Sequence, residues 1–148
     1  MMNTILVVCV GNICRSPVAA AMLKTALPDK KIFSAGLAAL SGKPADKLAQ
    51  QVAAREGIDL SEHRAQQISA WMCEEADLIL VMEDRHRRDL ERKFPLARGK
   101  IRCLGDFEQQ GPIDIDDPYR QPLAAFETAH STIARNVGYW AARIAQLS

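Results

Sequence analysis

The chain has 148 residues, of which 48% are hydrophobic and 25% charged, as is typical of one globular domain, expected here to span residues 1–148. Its formal net charge is +1, which gives no reason to expect nucleic acid or an anionic membrane as a partner. The hydrophobic runs are too short to insert into a membrane. The N-terminal stretch MMNTILVVCV lacks a basic leader, so we expect a cytoplasmic protein.

Hydrophobic strand-like runs alternate with helical segments along the chain. The predicted strands are 4–10, 31–36, 77–82 and 100–105. The predicted helices are 16–27, 44–57, 68–76, 83–94 and 123–146. This alternation predicts an α/β fold with a four-stranded parallel sheet flanked by helices on both faces. Ligands of such sheets bind beyond the carboxyl ends of the strands, which is where Cys9 lies.

The segment VGNICRSP, which follows Cys9, combines the features of an anion-binding loop. The first turn of a helix offers unpaired N–H groups and the positive end of the helix dipole. Gly11 and Asn12 can both adopt the left-handed conformation that turns further N–H groups inward. Arg15 can hold two phosphate oxygens with one guanidinium. Ser16 is expected to cap the helix and Pro17 to open it.

A cysteine at the base of this loop would be held as a thiolate by the same N–H groups and charge. Cys9 alone would most simply be a buried strand residue, but its neighbours favour a nucleophile that forms a phosphocysteine during phosphoryl transfer. The loop lacks the Gly-Lys-Ser/Thr of a nucleotide-binding P-loop.

The other cysteines do not indicate a disulfide framework or a metal site. The four cysteines are Cys9, Cys14, Cys73 and Cys103. In a reducing compartment they should be free thiols. The spacing Cys-x4-Cys has no second pair of ligands, so no metal is expected. Cys14 is expected either to pack or to form a reversible disulfide with Cys9 after oxidation.

The stretch VCVGNICRSP resembles the signature Cys-x5-Arg-Ser of the low-molecular-weight protein tyrosine phosphatases. The resemblance extends over nearly the whole chain and is closest to the bacterial branch associated with exopolysaccharides. The motifs SAG at 34–36 and DPYR at 117–120 stand where that family has them. The resemblance implies a flavodoxin-like three-layer sandwich and a mechanism without a cofactor or metal.

The resemblance also implies the roles of individual residues. Cys9 would be the nucleophile, Arg15 the clamp on phosphate and transition state, and Asp117 the general acid and then base. Ser16 would help the thiolate leave and would hold the loop together with Asn12. Further loop support would come from Ser34 and His63, and the substrate cleft would be lined by Leu40 and Tyr119. The expected phosphate-binding residues are Val10, Gly11, Asn12, Ile13, Cys14, Arg15 and Ser16.

Several of these assignments leave alternatives open. The residues alone do not choose the acid among Asp114, Asp116 and Asp117, whereas the DPY match favours Asp117. The aliphatic Leu40 replaces an aromatic residue of the eukaryotic branch and resembles the enterobacterial exopolysaccharide phosphatases. Gln66 departs from the family, in which arginine is frequent at that position, and this alters the expected support of the loop.

The remaining polar and aromatic residues are given structural interpretations. His63 is expected to support the loop rather than to react, and His86 and His130 are expected on helix surfaces. Pairs at i,i+4 spacing, Glu83 with Arg87 and Asp84 with Arg88, predict a solvated helix face. The two tryptophans, Trp71 and Trp140, are expected to pack inside.

The sequence therefore predicts a phosphatase for phosphotyrosine proteins. By family analogy, its partner would be a bacterial tyrosine autokinase that controls capsule or exopolysaccharide export. The alternative on the same scaffold is a thioredoxin-coupled arsenate reductase. That reaction needs two more cysteines close together after the third strand, and the segment 81–94 has none. A phosphate-binding module without turnover is the third possibility.

Overall fold

A computed structural model describes residues 2–147, which form a central sheet of four strands. The strands are β1 (Thr4–Cys9), β2 (Lys31–Gly36), β3 (Leu78–Val81) and β4 (Ile101–Cys103). The helices are α1 (Arg15–Ala26), α2 (Lys47–Arg55), α3 (Ala70–Glu75), α4 (Asp84–Lys93) and α5 (Leu123–Gln146), with 3-10 turns at Pro95–Ala97 and Leu104–Phe107. Each predicted strand and helix is present, with ends that differ by a few residues.

All strand pairings are parallel, and the strand order is β2-β1-β3-β4. The register sets Cys9 opposite Gly36 and Val8 opposite Val81, so the carboxyl ends of the strands share one edge. From β1 the chain forms β2 on one side of β1, and it then crosses over to form β3 on the other side. This reversal opens a crevice beyond β1, where ligands of such sheets bind.

The sheet lies between two layers of helices, which confirms the predicted architecture. On one face, Ile5 and Val7 of β1 pack with Leu23 of α1 and with Ile133 and Trp140 of α5. On the other face, residues of β1 and β3 pack against α3 and α4, in a cluster that includes Leu6, Val8, Ile79, Met72 and Leu90. Because the central strands are buried on both faces, they are hydrophobic without interruption.

The first helix begins earlier than predicted. Its first residue is Arg15 and its N-cap is Cys14, whose side chain makes no capping hydrogen bond. The expectation that Ser16 caps the helix is therefore wrong. The Ser16 side chain is fully buried and takes part in the loop contacts described below. By contrast, α2 is capped by Asp46, whose carboxylate accepts a hydrogen bond of 2.8 Å from the N–H of Leu48.

Two expectations about burial are also wrong. Trp71 is 58% exposed and stacks on Phe33 at the surface, whereas Trp140 is buried as predicted and donates a hydrogen bond to the Leu104 carbonyl. His86 is buried, because it shares the inward face of α4 with Leu90, four residues along. His130 is partly buried rather than fully on the surface.

Of the helices in the described residues, none has the length and apolar character needed to cross a membrane. Within the same residues, no group of three or more His, Cys, Asp or Glu side chains is placed to hold a metal ion.

Candidate active site

The loop between β1 and α1 curls around the sulfur of Cys9. Only 2% of Cys9 is exposed. Its Sγ lies 3.0 Å from the hydroxyl of Ser16 and accepts a hydrogen bond of 3.4 Å from the Ser16 backbone N–H. A hydroxyl and an amide at the start of a helix thus point at the sulfur, and both stabilise a negative charge there.

Asn12 holds the loop in shape through its own side chain and backbone. Its φ is +59°, in the left-handed region, whereas Gly11 does not adopt a positive φ, contrary to expectation. The Asn12 amide donates to the hydroxyls of Ser16 (2.7 Å) and Ser34 (3.0 Å). Its oxygen accepts from the backbone N–H of Gln66 at 2.9 Å. Both N–H donors and the oxygen of the buried amide are thus engaged, which favours one loop conformation.

His63 and Gln66 support this loop from outside. His63 Nε2 lies 2.6 Å from the Asn12 carbonyl oxygen, and because a carbonyl can only accept, the ring donates from Nε2. Partial burial lowers the pKa of His63, although the hydrogen bond to Asn12 opposes this. The Gln66 side chain donates to the Ser34 carbonyl at 2.8 Å. The Gln66 carbonyl also accepts a hydrogen bond of 2.9 Å from the N–H of Gly36. Gln66 thus joins the loop to β2, at the position where the sequence departs from the arginine frequent in the family.

The guanidinium of Arg15 is buried and held from behind. Its Nη1 donates to Glu83 Oε2 at 2.7 Å and to the Ile115 carbonyl at 2.6 Å. Its Nη2 lies 3.5 Å from Asp117 Oδ2. Within residues 2–147 its Nε is buried and has no hydrogen-bond partner. The edge of the guanidinium formed by Nε, which has no partner, and Nη2, which has only the 3.5 Å contact with Asp117, can therefore bind an anion in the cleft.

Glu83 is a site residue that the sequence did not reveal. The predicted pair between Glu83 and Arg87 is absent from the described ion pairs, because Glu83 binds Arg15 instead, and Arg87 pairs with Asp84 and Glu91. The pair between Asp84 and Arg88 is present. Partial burial raises the pKa of Glu83, but the hydrogen bond and charge of Arg15 outweigh burial and hold it below the usual value.

Of the three candidate acids, Asp117 is the one that lines the cleft. Its Oδ1 accepts a hydrogen bond of 3.1 Å from the N–H of Tyr119, which turns Oδ2 toward Arg15. Asp114 instead accepts from the N–H of Asp84 at the start of α4. The cleft has a volume of about 180 Å³. Its lining consists of Cys9, Val10, Gly11, Ile13, Cys14, Arg15, Ala38, Leu40, Asp117 and Tyr119.

Residues 4–147 match the family described as low molecular weight phosphotyrosine protein phosphatase. The chain belongs to this family. The phosphatase is 51% identical to the probable low molecular weight protein-tyrosine-phosphatase EpsP of Ralstonia solanacearum, over 99% of each chain. The predicted family and its bacterial branch are thereby confirmed.

Two solved structures share the fold of the phosphatase. Wzb of Vibrio vulnificus, in complex with benzylphosphonate, is 44% identical, with 97% of this chain and 99% of that chain covered and a TM-score of 0.92. The YwlE arginine phosphatase of Geobacillus stearothermophilus is 32% identical, with 97% and 93% covered and a TM-score of 0.90.

The sequence-predicted residues of the phosphatase converge on this one site. Ser16, Ser34 and His63 lie behind the loop, and Leu40 and Tyr119 form part of the cleft wall. Cys14 is buried, and burial raises the pKa of its thiol. All four cysteines are free thiols.

Proposed function

We propose that this phosphatase hydrolyses phosphotyrosine in proteins through a phosphocysteine intermediate. Cys9 is the nucleophile, Arg15 the phosphate clamp, and Asp117 the general acid and then the base. The observation that carries the proposal is how Arg15 is bound: Glu83 and Ile115 accept hydrogen bonds from Nη1, Nε has no partner among residues 2–147, and Nη2 has only the 3.5 Å contact with Asp117. Nε and Nη2 can therefore bind phosphate in the cleft that Cys9 also lines. A fixed fork next to a hydrogen-bonded thiol is suited to phosphoryl transfer.

In the first step the Cys9 thiolate attacks phosphorus and the bond to the tyrosyl oxygen breaks. The oxygen leaves as a phenol because Asp117 gives it a proton. Arg15 and the loop N–H groups neutralise the charge that spreads over the phosphoryl oxygens in the transition state. The products are phosphocysteine, free tyrosine side chain and the Asp117 carboxylate.

In the second step water attacks the phosphorus of phosphocysteine. The Asp117 carboxylate takes a proton from that water, and the bond between phosphorus and sulfur breaks. Cys9 leaves as a thiolate, stabilised by the Ser16 hydroxyl at 3.0 Å and the Ser16 N–H. Inorganic phosphate departs and Asp117 is again protonated, ready for the next substrate.

The walls of the cleft favour an aromatic phosphate ester. Ile13, Ala38 and Leu40 present apolar groups, and Tyr119 adds a ring. A phenyl ring gains from contact with these groups, whereas a charged guanidinium would lose hydration against them, and the one carboxylate among the described residues that lines the cleft, Asp117, already contacts Arg15. This supports phosphotyrosine rather than the phosphoarginine expected of an arginine phosphatase. The benzylphosphonate in the related Wzb structure, a phenyl group on a phosphorus oxyanion, supports the same choice.

The arsenate reductase alternative is less well supported. Cys73 and Cys103 lie in the core on the sheet face opposite α1. Burial raises the pKa of Cys73, and burial raises that of Cys103 to about 12. Such thiols are poor nucleophiles for a disulfide relay.

We further propose that the phosphatase acts in the cytoplasm on a bacterial tyrosine autokinase linked to capsule or exopolysaccharide production. The support is similarity to EpsP and to Wzb, together with the aliphatic Leu40. A nucleophilic thiol also requires a reducing compartment. The test is dephosphorylation of the autokinase from the same genome, with Cys9→Ser as the control.

The mechanism is tested with phenyl phosphate and p-nitrophenyl phosphate at mildly acidic pH. Cys9→Ser should abolish turnover of both esters. Asp117→Ala should lower kcat/KM for phenyl phosphate about 10²- to 10⁴-fold and lower that for p-nitrophenyl phosphate much less, because nitrophenolate leaves without a proton. The ratio kcat/KM is used because it does not report the later hydrolysis of phosphocysteine, in which Asp117 is the base. Equal decreases of kcat/KM for both esters would show that Asp117 is not the general acid.

The same preparations distinguish the alternatives. Arsenate-dependent oxidation of thioredoxin without ester hydrolysis would establish the reductase. Phosphate binding without either activity would establish a binding module. Faster release of phosphate from a phosphoarginine peptide than from a phosphotyrosine peptide would overturn the proposed substrate.

A further inference from the structure

Arg120 has an unusual backbone conformation at the mouth of the cleft. It lies in a turn in which the N–H of Gln121 donates to the Pro118 carbonyl at 2.8 Å. The φ of Arg120 is +63°. At this third position of a turn, a positive φ is normally supplied by glycine or asparagine. Non-glycine residues in such disfavoured backbone conformations cluster at active sites and ligand-binding sites.

The guanidinium of Arg120 is held against the wall of the cleft. It lies 5.2 Å from the centroid of the Tyr119 ring, within the range of a cation–π contact. Tyr119 lines the cleft, so the charge of Arg120 is fixed close to its mouth. Arg120 is exposed, and in the part of the chain that the structure describes no carboxylate pairs with it.

A second cation, Lys43, lies three residues after Leu40 on the other wall of the cleft. Leu40 lines the cleft and its N–H donates to the Gly11 carbonyl, while its carbonyl accepts from the N–H of Lys43. This bond closes a turn that keeps Lys43 near the wall. Lys43 is exposed and forms no ion pair among residues 2–147. Arg120, next to Tyr119 on one wall, and Lys43, three residues after Leu40 on the other, therefore carry positive charges that form no ion pair among residues 2–147.

We propose that Arg120, assisted by Lys43, selects phosphotyrosines whose neighbouring residues are acidic. The inference rests on the proposed function of the Cys9 site and adds the charge of the preferred sequence around the target tyrosine. With the phosphorylated ring inside the cleft, the flanking side chains must lie at its mouth. A guanidinium there binds a carboxylate with two hydrogen bonds and repels lysine.

The test uses three phosphotyrosine peptides that differ only in their flanking residues, which are glutamate, glutamine or lysine. For the wild type, kcat/KM should fall in that order, by roughly two- to fivefold for each change of charge. Added 0.5 M NaCl should weaken the preference, because exposed charges are screened.

Arg120→Gly is the informative variant, because glycine accepts the positive φ and keeps the turn. Its unfolding midpoint should equal or exceed that of the wild type. The ratio of kcat/KM between the glutamate and lysine peptides should fall at least twofold. The ratio is taken within each variant, so any effect on the Tyr119 ring cancels. The control is Arg98→Glu, a larger charge change at an exposed residue before β4, at the opposite edge of the sheet, which should keep the wild-type ratio.

Equal kcat/KM for the three peptides in the wild type would overturn the inference, as would an unchanged ratio in Arg120→Gly. Turnover of p-nitrophenyl phosphate, which has no flanking residues, separates the two proposals. If the ester is hydrolysed through Cys9 but the peptides are not discriminated, only the inference about Arg120 fails. If the ester is not hydrolysed, both fail.

Discussion

The charged side chain of Arg15 is buried, with only 1% of it exposed. A buried charge is costly unless a partner compensates it. Glu83 is that partner, and it contacts the end of the guanidinium that faces away from the proposed phosphate position. We infer that Glu83 is a positioning residue, which acts on phosphate through Arg15.

Glu83→Gln should lower kcat/KM for an aryl phosphate about tenfold. The amide keeps an acceptor for Nη1 but loses the charge, and a hydrogen bond to a charged group contributes about 1.5–3 kcal/mol. The matched control is Asp84→Asn in the next residue, which removes one carboxylate charge from surface pairs with Arg87 and Arg88 and should change little. Unchanged kinetics in Glu83→Gln would mean that the Ile115 carbonyl alone orients Arg15.

The loop between β1 and α1 could be predicted from its residues because the contacts at the Cys9 sulfur are local, although those of Asn12 with Ser34, His63 and Gln66 are not. The contact between Cys9 and Ser16 spans seven residues. Glu83 escaped prediction because it reaches Arg15 across 68 residues. Its pairing with Arg87 was a reasonable expectation for two residues of one helix, but α4 begins at Asp84 and Glu83 has an extended backbone. Its position directly after β3, at the same sheet edge as Cys9, was the available signal.

At the scale of elements, β2 and the phosphate loop meet at Gly36. A Cβ at this position would lie 2.5 Å from the Val10 carbonyl oxygen and 3.1 Å from Ala39. Val10 is the first residue after Cys9, the proposed nucleophile. The absence of a side chain therefore allows the end of β2 to approach the loop that surrounds Cys9.

Gly36→Ala should destabilise the fold by about 1–3 kcal/mol, the usual cost of inserting a methyl group into a packed site. It should also lower kcat/KM, because Val10 must move. Gly138→Ala is the matched control: no atom lies within 4 Å of the added methyl group, and an exposed helix interior gains about 0.5–1 kcal/mol from the exchange. Urea unfolding of both variants gives the comparison. A Gly36→Ala protein as stable as the wild type would show that the loop can shift freely.

The helices and strands were predictable to different degrees. Buried parallel strands are uninterrupted hydrophobic runs. The predicted ends of each strand therefore agree with the observed ends to within two residues. Helix ends depend on caps. Because Asp46 is the N-cap, α2 begins at Lys47, three residues after its predicted start at Pro44. The surface position expected for His86 is wrong, although Leu90 four residues later marks the inward face of α4 and was the available signal. Trp71 stacks on Phe33 at the surface, because the six-residue α3 buries only Met72 and Cys73.

At the scale of the whole molecule, all three histidines have a lowered pKa. For His63, His86 and His130, burial is the main cause, since it disfavours the charged imidazolium. The nearby charge of Glu83 opposes this at His86 without reversing it. Below a pH of about 6.5 the unfolded chain therefore binds more protons than the folded one.

Stability should fall on mild acidification, because the free energy of unfolding rises with increasing pH wherever the unfolded state binds more protons than the folded state. Between pH 7.5 and 5.5, buried His86 should account for about 1 kcal/mol of the loss and the partly exposed His63 and His130 for less. Carboxylates with a lowered pKa, such as Asp77 and Glu83, lose their contributions only at lower pH and contribute little in this window. Urea unfolding at both pH values measures the loss.

His86→Asn removes the titrating side chain and should shrink the difference in the free energy of unfolding between the two pH values by about 1 kcal/mol, even if the variant is less stable overall. Equal stability of the wild type at both pH values would contradict this assignment.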